Sequence, residues 1–308
     1  MKMDIKRFTD NNTQNLKLEC DVPEICKVEP CCLGIDEAGR GPVLGPMVYG
    51  ISYCPVASND KLKEIGFADS KTLTEEQREE LFTKLEEAEE MIGWTVDILS
   101  PHYISTSMLK RAKYNLNAIS HDTAIGLIQR SIERGVNLTE VYVDTVGPPE
   151  KYQEKLSKIF PNLNITVAKK ADSIYPIVSA ASICAKVARD RATKSWEFTE
   201  GEKIKVPEGG FGSGYPADPQ TKKFMVDSID PVFGFPHFVR ISWSTAYSAI
   251  EKKCVPVHWD DEDDDEPMKK RPKNTPALTS FFKSVAKQIK AKNHVFFKDR
   301  CLKSVQSF

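Results

Sequence analysis

The chain has 308 residues, of which 40% are hydrophobic and 28% are charged, a composition that is typical of a folded globular protein and excludes a disordered or fibrous chain. It contains no apolar run long enough to span a membrane, and its polar residues 1–10 predict no secretory signal. The seven acids at 260–266 are followed by eleven Lys or Arg against one Asp at 267–308, so residues 1–259 are net acidic and lack the basic charge typical of nucleic-acid binders.

Three strands are predicted in the first hundred residues. They are the apolar runs at 31–35, 47–53 and 94–99, and a turn rich in glycine and proline separates the first two. Between the second and third strands, Thr74 and Gln77 have the spacing of a capping box, and apolar residues follow them at helical spacing. This pattern predicts a helix after Thr74.

From residue 116 onward, predicted helices and strands alternate. The helices cover 116–134, 149–160 and 178–192, and the strands cover 141–143 and 165–168. Strands joined by a helix are parallel, whereas the first three can be antiparallel, so we expect an α/β fold with a mixed sheet flanked by helices. A loop rich in glycine and proline and two helical stretches follow, at 207–219, 221–227 and 242–253.

Four acidic residues follow predicted strands. Asp36 and Glu37 come directly after the first strand, Asp144 follows the strand at 141–143, and Asp172 lies between the last strand and the last buried helix. Ligands collect at the carboxyl ends of strands in such sheets, and crowded carboxylates repel one another unless hard cations such as Mg²⁺ bind them. If the four converge, they indicate a nuclease site in which two metal ions bind the attacking water and the leaving oxygen of a phosphodiester.

Each of these acids also has an ordinary structural alternative, because spacing alone does not prove convergence. A single carboxylate commonly caps a strand end or faces solvent. Asp172, which precedes Ser173, can be a helix N-cap.

A turn in which two glycines flank an arginine follows the first two acids. Gly39 and Gly41 allow positive φ and a close backbone approach to a ligand, so exposed backbone groups there can bind the ribose 2′-hydroxyl that distinguishes RNA from DNA. Arg40 can hold a phosphate through its fork of donors. Taken alone, the pattern favours a bare turn with a solvated arginine.

Over residues 31–250 the chain resembles the type 2 ribonucleases H. The segment GIDEAGRGPVLGP at 34–46 matches the signature of that family. Five more motifs follow in the family's order, namely DSK at 69–71, VDTVG at 143–147, KAD at 170–172, SAASICAKVARD at 179–190 and GSGYP at 212–216. Ordered agreement over this length argues strongly against coincidence.

The resemblance implies a ribonuclease H-like fold with a five-stranded mixed sheet. It also implies two Mg²⁺ or Mn²⁺ ions during catalysis. The catalytic, metal-binding carboxylates would be Asp36, Glu37, Asp144 and Asp172.

The resemblance also assigns substrate contacts. It implies that Gly39, Arg40 and Gly41 sense the 2′-hydroxyl at an RNA–DNA junction. Tyr215 matches a tyrosine that stacks on the sugar beyond the ribonucleotide, and its alternative role is to pack over a turn. Lys71 either contacts a phosphate or is a surface charge.

The motifs and the charge pattern divide the chain into five segments. We expect an N-terminal arm at 1–29, a ribonuclease H-like catalytic core at 30–199, and a loop and helical extension at 200–257 that completes the substrate cleft. A charged linker at 258–275 and a helical, partner-docking tail at 276–308 follow.

The last fifty residues contain segments that resemble targeting and docking signals. The basic run at 269–273 is either a nuclear import signal or a solvated linker, and we expect a nuclear protein. Leu278, Phe281 and Phe282 resemble the hydrophobic part of a sliding-clamp-binding peptide, although Thr275 stands where such peptides usually have glutamine. The tail resembles that of eukaryotic members of the family, which implies a heterotrimer with two non-catalytic subunits.

The function implied is endonucleolytic hydrolysis of the RNA strand of RNA–DNA hybrids and cleavage 5′ of single ribonucleotides in duplex DNA, leaving 5′-phosphate and 3′-hydroxyl ends. Its role would lie in ribonucleotide removal during DNA replication and repair. Two alternatives stay open. A resolvase or integrase-like nuclease on the same fold would cut all-DNA substrates equally, and a non-enzymatic scaffold would act only through its tail.

Overall fold

The computed structural model describes residues 3–67, 73–112, 114–145, 148–200, 204 and 206–256. The chain divides into two units, 1–253 and 254–308, and all the helices and strands below belong to the first. Lys71, the basic run at 269–273 and the tail with Leu278, Phe281 and Phe282 lie outside the described residues. In the described part of the chain, no helix is both long and apolar enough to cross a membrane.

Six strands form one mixed sheet. They are β1 (Leu16–Glu19), β2 (Cys31–Ala38), β3 (Met47–Pro55), β4 (Gly93–Leu99), β5 (Leu138–Asp144) and β6 (Asn164–Ala168). Their spatial order is β1-β4-β3-β2-β5-β6. The pairs β1–β4, β4–β3 and β3–β2 are antiparallel, and the pairs β2–β5 and β5–β6 are parallel. The mixed α/β sheet predicted from the sequence is therefore confirmed.

The predicted number of five strands is wrong by one. The additional strand is β1, which comes from the segment 1–29 and pairs with β4 at the edge of the sheet. Its sequence, LKLE, offers only two apolar residues, too few for the alternation of a strand to be recognised. Pairing with β4, a contact distant in sequence, is what makes this segment a strand.

Ten α-helices surround the sheet within the described ranges. They are α1 (Lys6–Asp10), α2 (Glu24–Val28), α3 (Asn59–Ile65), α4 (Glu75–Glu87), α5 (Pro101–Met108), α6 (Leu116–Glu133), α7 (Pro149–Ile159), α8 (Pro176–Lys194), α9 (Pro219–Ser228) and α10 (Ser244–Lys253). The capping box predicted for α4 is present, because Gln77 N donates to Thr74 Oγ1 and Thr74 N donates to Gln77 Oε1. Short 3₁₀ turns lie at Val56–Ser58 and Ala171–Ser173.

Helix α8 lies against one face of the sheet and is buried along most of its length. Glycines in the strands beneath it make this close packing possible. A Cβ atom on Gly34 would lie 2.4 Å from the carbonyl oxygen of Ile177, and one on Gly50 would lie 2.5 Å from that of Ala181. Helices α6 and α7 contribute to the core on the opposite face.

Glu19 connects the edge strand to α6. Arg130 Nε and Nη2 donate to its two carboxylate oxygens at 2.7 and 2.6 Å, and these hydrogen bonds are the main reason why the pKa of Glu19 is lowered. The Glu19 side chain is 23% exposed and that of Arg130 is 44% exposed. Because two parallel hydrogen bonds join them, we expect the pair to contribute at the upper end of the range for surface ion pairs.

We expect Glu19→Gln to cost about 1 kcal/mol and to lower the Tm by about 2–4 °C at pH 7. A lowered carboxyl pKa stabilises the fold above the unfolded-state pKa, and this stabilisation is lost as the pH falls through the folded-state pKa. The difference in Tm between the two proteins should therefore shrink below about pH 4.5. Glu24→Gln, in the exposed pair with Lys27, is the control. Equal Tm values at pH 7 for wild type and Glu19→Gln would contradict the assignment.

Candidate active site

The parallel pairing of β2 and β5 brings two of the predicted acids to neighbouring positions. Ile35 is in register with Val143, so Asp36 and Asp144 are each one residue further along adjacent strands. Asp36 lies within β2 and Asp144 is the last residue of β5, so both strands extend further than the sequence indicated. The two carboxylates occupy the carboxyl end of the sheet, where they were expected.

Asp172 reaches the same end of the sheet through the turn after β6. It lies in the 3₁₀ turn Ala171–Ser173 and is only 3% exposed. Ala171 N donates to Asp144 Oδ1 at 2.9 Å, which ties this turn to the end of β5. The N-cap alternative for Asp172 is wrong, because α8 begins at Pro176 and its N-cap residue is Tyr175.

Asp36 and Glu37 point to opposite faces of the sheet, because successive side chains alternate along a strand. Asp36 lies on the face covered by α8 and accepts a hydrogen bond from Ser182 of that helix. Glu37 lies on the face covered by α6, where Tyr49 of β3 donates to it. The two carboxylates therefore approach the end of the sheet from its two sides.

Burial and mutual repulsion raise the pKa of both carboxyl groups. Loss of solvent raises the pKa of Asp36 well above its usual range, and the charges of Glu37 and Asp144 raise it further. Burial also raises the pKa of Glu37 to about 7, with the charge of Asp144 adding to it and that of Arg40 opposing it. Asp36, Glu37 and Asp144 thus interact electrostatically as one acidic cluster.

Within the described residues, these carboxylate side chains are not arranged as a cluster of three or more metal ligands. Over the described ranges, no three His, Cys, Asp or Glu side chains are close enough together to hold a metal ion. The shared metal site therefore stays a prediction. The donors are nonetheless those that hard cations prefer, since the cluster consists of carboxylate oxygens that are buried and repel one another.

The turn at Gly39, Arg40 and Gly41 follows β2 directly. Gly39 has a φ of +75°, and a Cβ atom there would meet the Arg189 side chain and the Pro46 carbonyl, so glycine is required. The guanidinium of Arg40 donates to Ser120 Oγ and to Asn117 Oδ1 of α6. Arg40 is therefore bound to the protein and is not a freely solvated side chain.

A buried arginine holds the carbonyl groups of this turn. Arg240 has no exposed surface, and its Nη2, Nη1 and Nε donate to the carbonyls of Gly39, Arg40 and Gly45 at 2.6, 3.1 and 2.9 Å. Trp243 Nε1 donates to the Gly41 carbonyl at 3.0 Å, and its ring lies against the Arg240 guanidinium at 4.9 Å. Residues some two hundred positions away in sequence thus fix the backbone of the turn.

Tyr215 lies next to the same turn on a second glycine-rich loop. A Cβ atom on Gly41 would be 2.8 Å from its ring, and the ring is 51% exposed. Val43 N donates to the Gly214 carbonyl at 2.8 Å, which joins the loop to the segment after the turn. The ring therefore lies beside Gly41, and about half of the surface of Tyr215 is accessible to a ligand.

One cleft of about 570 Å³ brings the predicted substrate-binding residues together. Its walls include Glu37, the turn 39–41, Tyr215 and Trp243. The structure thus joins Glu37 of the acidic cluster, the glycine–arginine turn and Tyr215 in one cleft. Lys71 lies outside the described residues.

Sequence reasoning missed the residues that support this site. Arg240, Trp243, Ser182 and Tyr49 were not predicted, because each acts through tertiary contacts that leave no spacing pattern in the chain. The sequence offers one weak indication of them. Arg240 and Trp243 lie close together after an apolar segment, where neither has an evident role in contact with solvent.

Comparisons with known proteins identify the family of the chain. Residues 33–246 match the family model for ribonuclease HII. A ribonuclease H2 subunit of Homo sapiens is 50% identical over 308 residues, which cover 99% of this chain and 100% of that protein.

Two solved structures are similar in fold and in sequence. The ribonuclease H2 of Pyrococcus horikoshii OT3 is 33% identical with a TM-score of 0.60, over 72% of this chain and 98% of that chain. The RNase HII of Archaeoglobus fulgidus, solved in complex with PCNA, is 34% identical with a TM-score of 0.56, over 69% of this chain and 95% of that chain. The chain therefore belongs to the ribonuclease HII family and is a ribonuclease.

Proposed function

We propose that this ribonuclease cleaves the RNA strand of RNA–DNA hybrids and cuts duplex DNA on the 5′ side of single embedded ribonucleotides. A water oxygen attacks the phosphorus, the bond from phosphorus to the upstream 3′-oxygen breaks, and that oxygen leaves as a 3′-hydroxyl after taking a proton. The ribonucleotide keeps a 5′-phosphate. Its role would be to remove ribonucleotides during DNA replication and repair.

The observation that carries this proposal is that Glu37 of the acidic cluster lines the same cleft as the glycine–arginine turn and Tyr215. The repelling carboxylates adjoin a turn whose glycines let a ribose approach the backbone, and Tyr215 lies beside that turn. A nuclease that ignores the 2′-hydroxyl needs the carboxylates but not this turn. The combination favours ribonucleotide-directed cleavage over a resolvase-like activity.

We assign the metal ligands to Asp36, Glu37, Asp144 and Asp172. When bound, two Mg²⁺ or Mn²⁺ ions would activate the attacking water and stabilise the departing 3′-oxygen. Among the residues of the chain, Ser182 and Tyr49 orient Asp36 and Glu37 through hydrogen bonds.

The remaining roles concern recognition of the substrate. The backbone of Gly39, Arg40 and Gly41 contacts the 2′-hydroxyl, and Arg240 keeps that backbone in position. Tyr215 stacks on the sugar that follows the ribonucleotide, and Lys71 contacts a phosphate.

A cleavage assay with matched duplexes tests this function. The purified chain, assembled with its partner subunits, is incubated with duplex DNA that contains one ribonucleotide and with the same duplex made only of DNA, with and without Mg²⁺. We expect one Mg²⁺-dependent cut on the 5′ side of the ribonucleotide, which leaves a 3′-hydroxyl. Equal cutting of the all-DNA duplex would favour a resolvase-like nuclease, and no cutting of either duplex would favour a scaffold.

Replacement of Tyr215 by alanine should lower kcat/KM for the single-ribonucleotide duplex by about tenfold to a hundredfold, the size of a lost stacking contact. Because the ring is half exposed, the Tm should hardly change. Tyr215→Phe keeps the ring and should retain most of the activity. If both variants lose the same activity, the hydroxyl matters and stacking is not the role of Tyr215.

The partners and location of the chain follow from its relatives and its tail. We propose a heterotrimer with two non-catalytic subunits, supported by the human relative, whose name makes it one subunit of a larger ribonuclease H2. The Archaeoglobus fulgidus relative, solved in complex with PCNA, supports a sliding-clamp contact. We assign this contact to Leu278, Phe281 and Phe282 because they resemble the hydrophobic part of a clamp-binding peptide. The basic run at 269–273 supports a nuclear location.

A further inference from the structure

A second cavity adjoins the substrate cleft at Glu37 and Arg40. Its volume is about 190 Å³, several times the roughly 30 Å³ that one water occupies in the liquid. Glu37 and Asp144 line it together with Arg40, His121 and Lys151. Tyr215 lines only the larger cleft, so the two cavities meet at Glu37 and Arg40 and extend from there to different residues.

The chain builds this cavity from the N-terminal ends of two helices. Helix α6 begins at Leu116 behind an Asn115 cap and places His121 at the cavity, and α7 begins at Pro149 and places Lys151 and Tyr152 there. The first turns of both helices carry partial positive charge from their unpaired N–H groups. The His121 ring stacks on the Tyr152 ring at a centroid distance of 4.0 Å and an angle of 12°, which fixes its orientation.

Two cations at the cavity have no carboxylate bound to them within the described part of the chain. Arg40 donates to the neutral oxygens of Ser120 and Asn117, which orient its guanidinium without neutralising it. Lys151 is exposed and makes no ion pair with any other described residue. By contrast, Lys158 on the same helix is paired with Glu154 at 2.6 Å. These two cations thus lie at the cavity itself, next to the acid cluster.

We propose that this cavity binds a phosphate of the cleaved strand on the 5′ side of the scissile linkage, with Lys151, Arg40 and His121 contacting it. The inference rests on the proposed function, in which Tyr215 takes the sugar on the 3′ side of the ribonucleotide. Because both cavities meet at Glu37 and Arg40, a strand that passes from Tyr215 across the carboxylates continues toward Lys151. Phosphate contacts of this kind fix the register of a nucleic acid on a protein.

The test combines one protein substitution with single neutral linkages in the substrate. Wild type, Lys151→Met and the control Lys158→Met are compared within the assembled protein on a duplex with one ribonucleotide. In separate substrates, one phosphate among the two upstream and the two downstream of the scissile linkage is replaced by an uncharged methylphosphonate. The dissociation constant is measured at several salt concentrations, and kcat/KM is measured with Mg²⁺.

We expect Lys151→Met to weaken binding of the unmodified duplex by about fivefold and to reduce the slope of log K against log salt by about 1. This loss should vanish when one upstream phosphate is already neutral, because the contact is then absent in both proteins. Lys158→Met should behave like wild type. Because Lys151 is exposed, the substitution should leave the fold unchanged.

Two results would overturn the inference. One is that Lys151→Met binds the duplex with the same affinity and the same salt slope as wild type. The other is that the loss of affinity in Lys151→Met vanishes only when a downstream phosphate is neutral. Failure of the proposed function is a separate outcome, in which wild type itself does not distinguish the ribonucleotide duplex from all-DNA duplex.

Discussion

We expect Asp144→Asn to lower the rate of cleavage of a single-ribonucleotide duplex by a factor on the order of a thousand, which corresponds to about 4 kcal/mol of lost transition-state stabilisation. The substitution removes one negative charge from the cluster, although asparagine still accepts the hydrogen bond from Ala171 N. The turn that carries Asp172 therefore stays attached to β5. The measurement is kcat under saturating substrate and Mg²⁺, together with the Tm.

Asp144→Asn should lower the rate of cleavage without lowering the stability of the fold. Removing one of several repelling charges relieves the crowding that raises the pKa of Asp36 and Glu37, so the Tm in metal-free buffer should not fall. Glu154→Gln removes an equal charge from the exposed face of α7 and should leave kcat unchanged. Full activity of Asp144→Asn would remove this residue from the site.

Arg240→Gln should cost about 3 kcal/mol of stability and lower the Tm by about 6–12 °C. The buried guanidinium satisfies the carbonyls of Gly39, Arg40 and Gly45, and glutamine cannot reach all three. Displacement of the turn by about 1 Å should also lower kcat/KM on the ribonucleotide duplex by about a hundredfold. Thermal denaturation and steady-state kinetics below the Tm separate the two effects.

Graded variants distinguish positioning of the turn from a general loss of stability. Arg240→Lys keeps the charge but not the planar fork, so it should recover part of the stability and little of the kcat/KM. Trp243→Phe removes the hydrogen bond from Nε1 to the Gly41 carbonyl and should cost about 1 kcal/mol. If stability and kcat/KM recover together in Arg240→Lys, the role of Arg240 is structural alone.

The sequence predicted the architecture well because its signals were local. The capping box at Thr74 and Gln77 placed the start of α4, and the helix predicted at 116–134 matches α6 to within one residue. The strand β1 and the helix α5 were missed for different reasons. Strand β1 depends on its partner β4, whereas α5 begins at a Ser100 cap and Pro101 that sit directly after a strand and leave little polar sequence between the two elements.

The acids of the site were predictable and their environment was not. Strand ends can be located from apolar runs, so Asp36 and Asp144 were expected at the carboxyl end of the sheet. The parallel register of β2 and β5 puts them there. Which face each side chain takes depends on the register, and this separates Asp36 from Glu37. The arginine that holds the turn comes from residue 240, and no pattern near residue 40 announces it.

The distribution of charge explains how a protein whose residues 1–259 are net acidic can bind a nucleic acid. Away from the cleft, several basic side chains are paired with acids, as in Arg191 with Glu79 and Lys194 with Glu75 between α8 and α4. At the cleft, the hydrogen bonds of the Arg40 guanidinium to other described residues go to neutral oxygens. Local placement of such cations therefore replaces the bulk basic charge that the composition lacks.

We propose that four side chains from separate parts of the chain share a pair of divalent cations beside the glycine–arginine turn. Anomalous diffraction from crystals of the assembled protein, grown with Mn²⁺ and a duplex carrying one ribonucleotide, tests it most directly. The claim predicts two Mn²⁺ peaks bound by oxygens of Asp36, Glu37, Asp144 and Asp172. Peaks bound elsewhere, with these carboxylates free of metal, would contradict it.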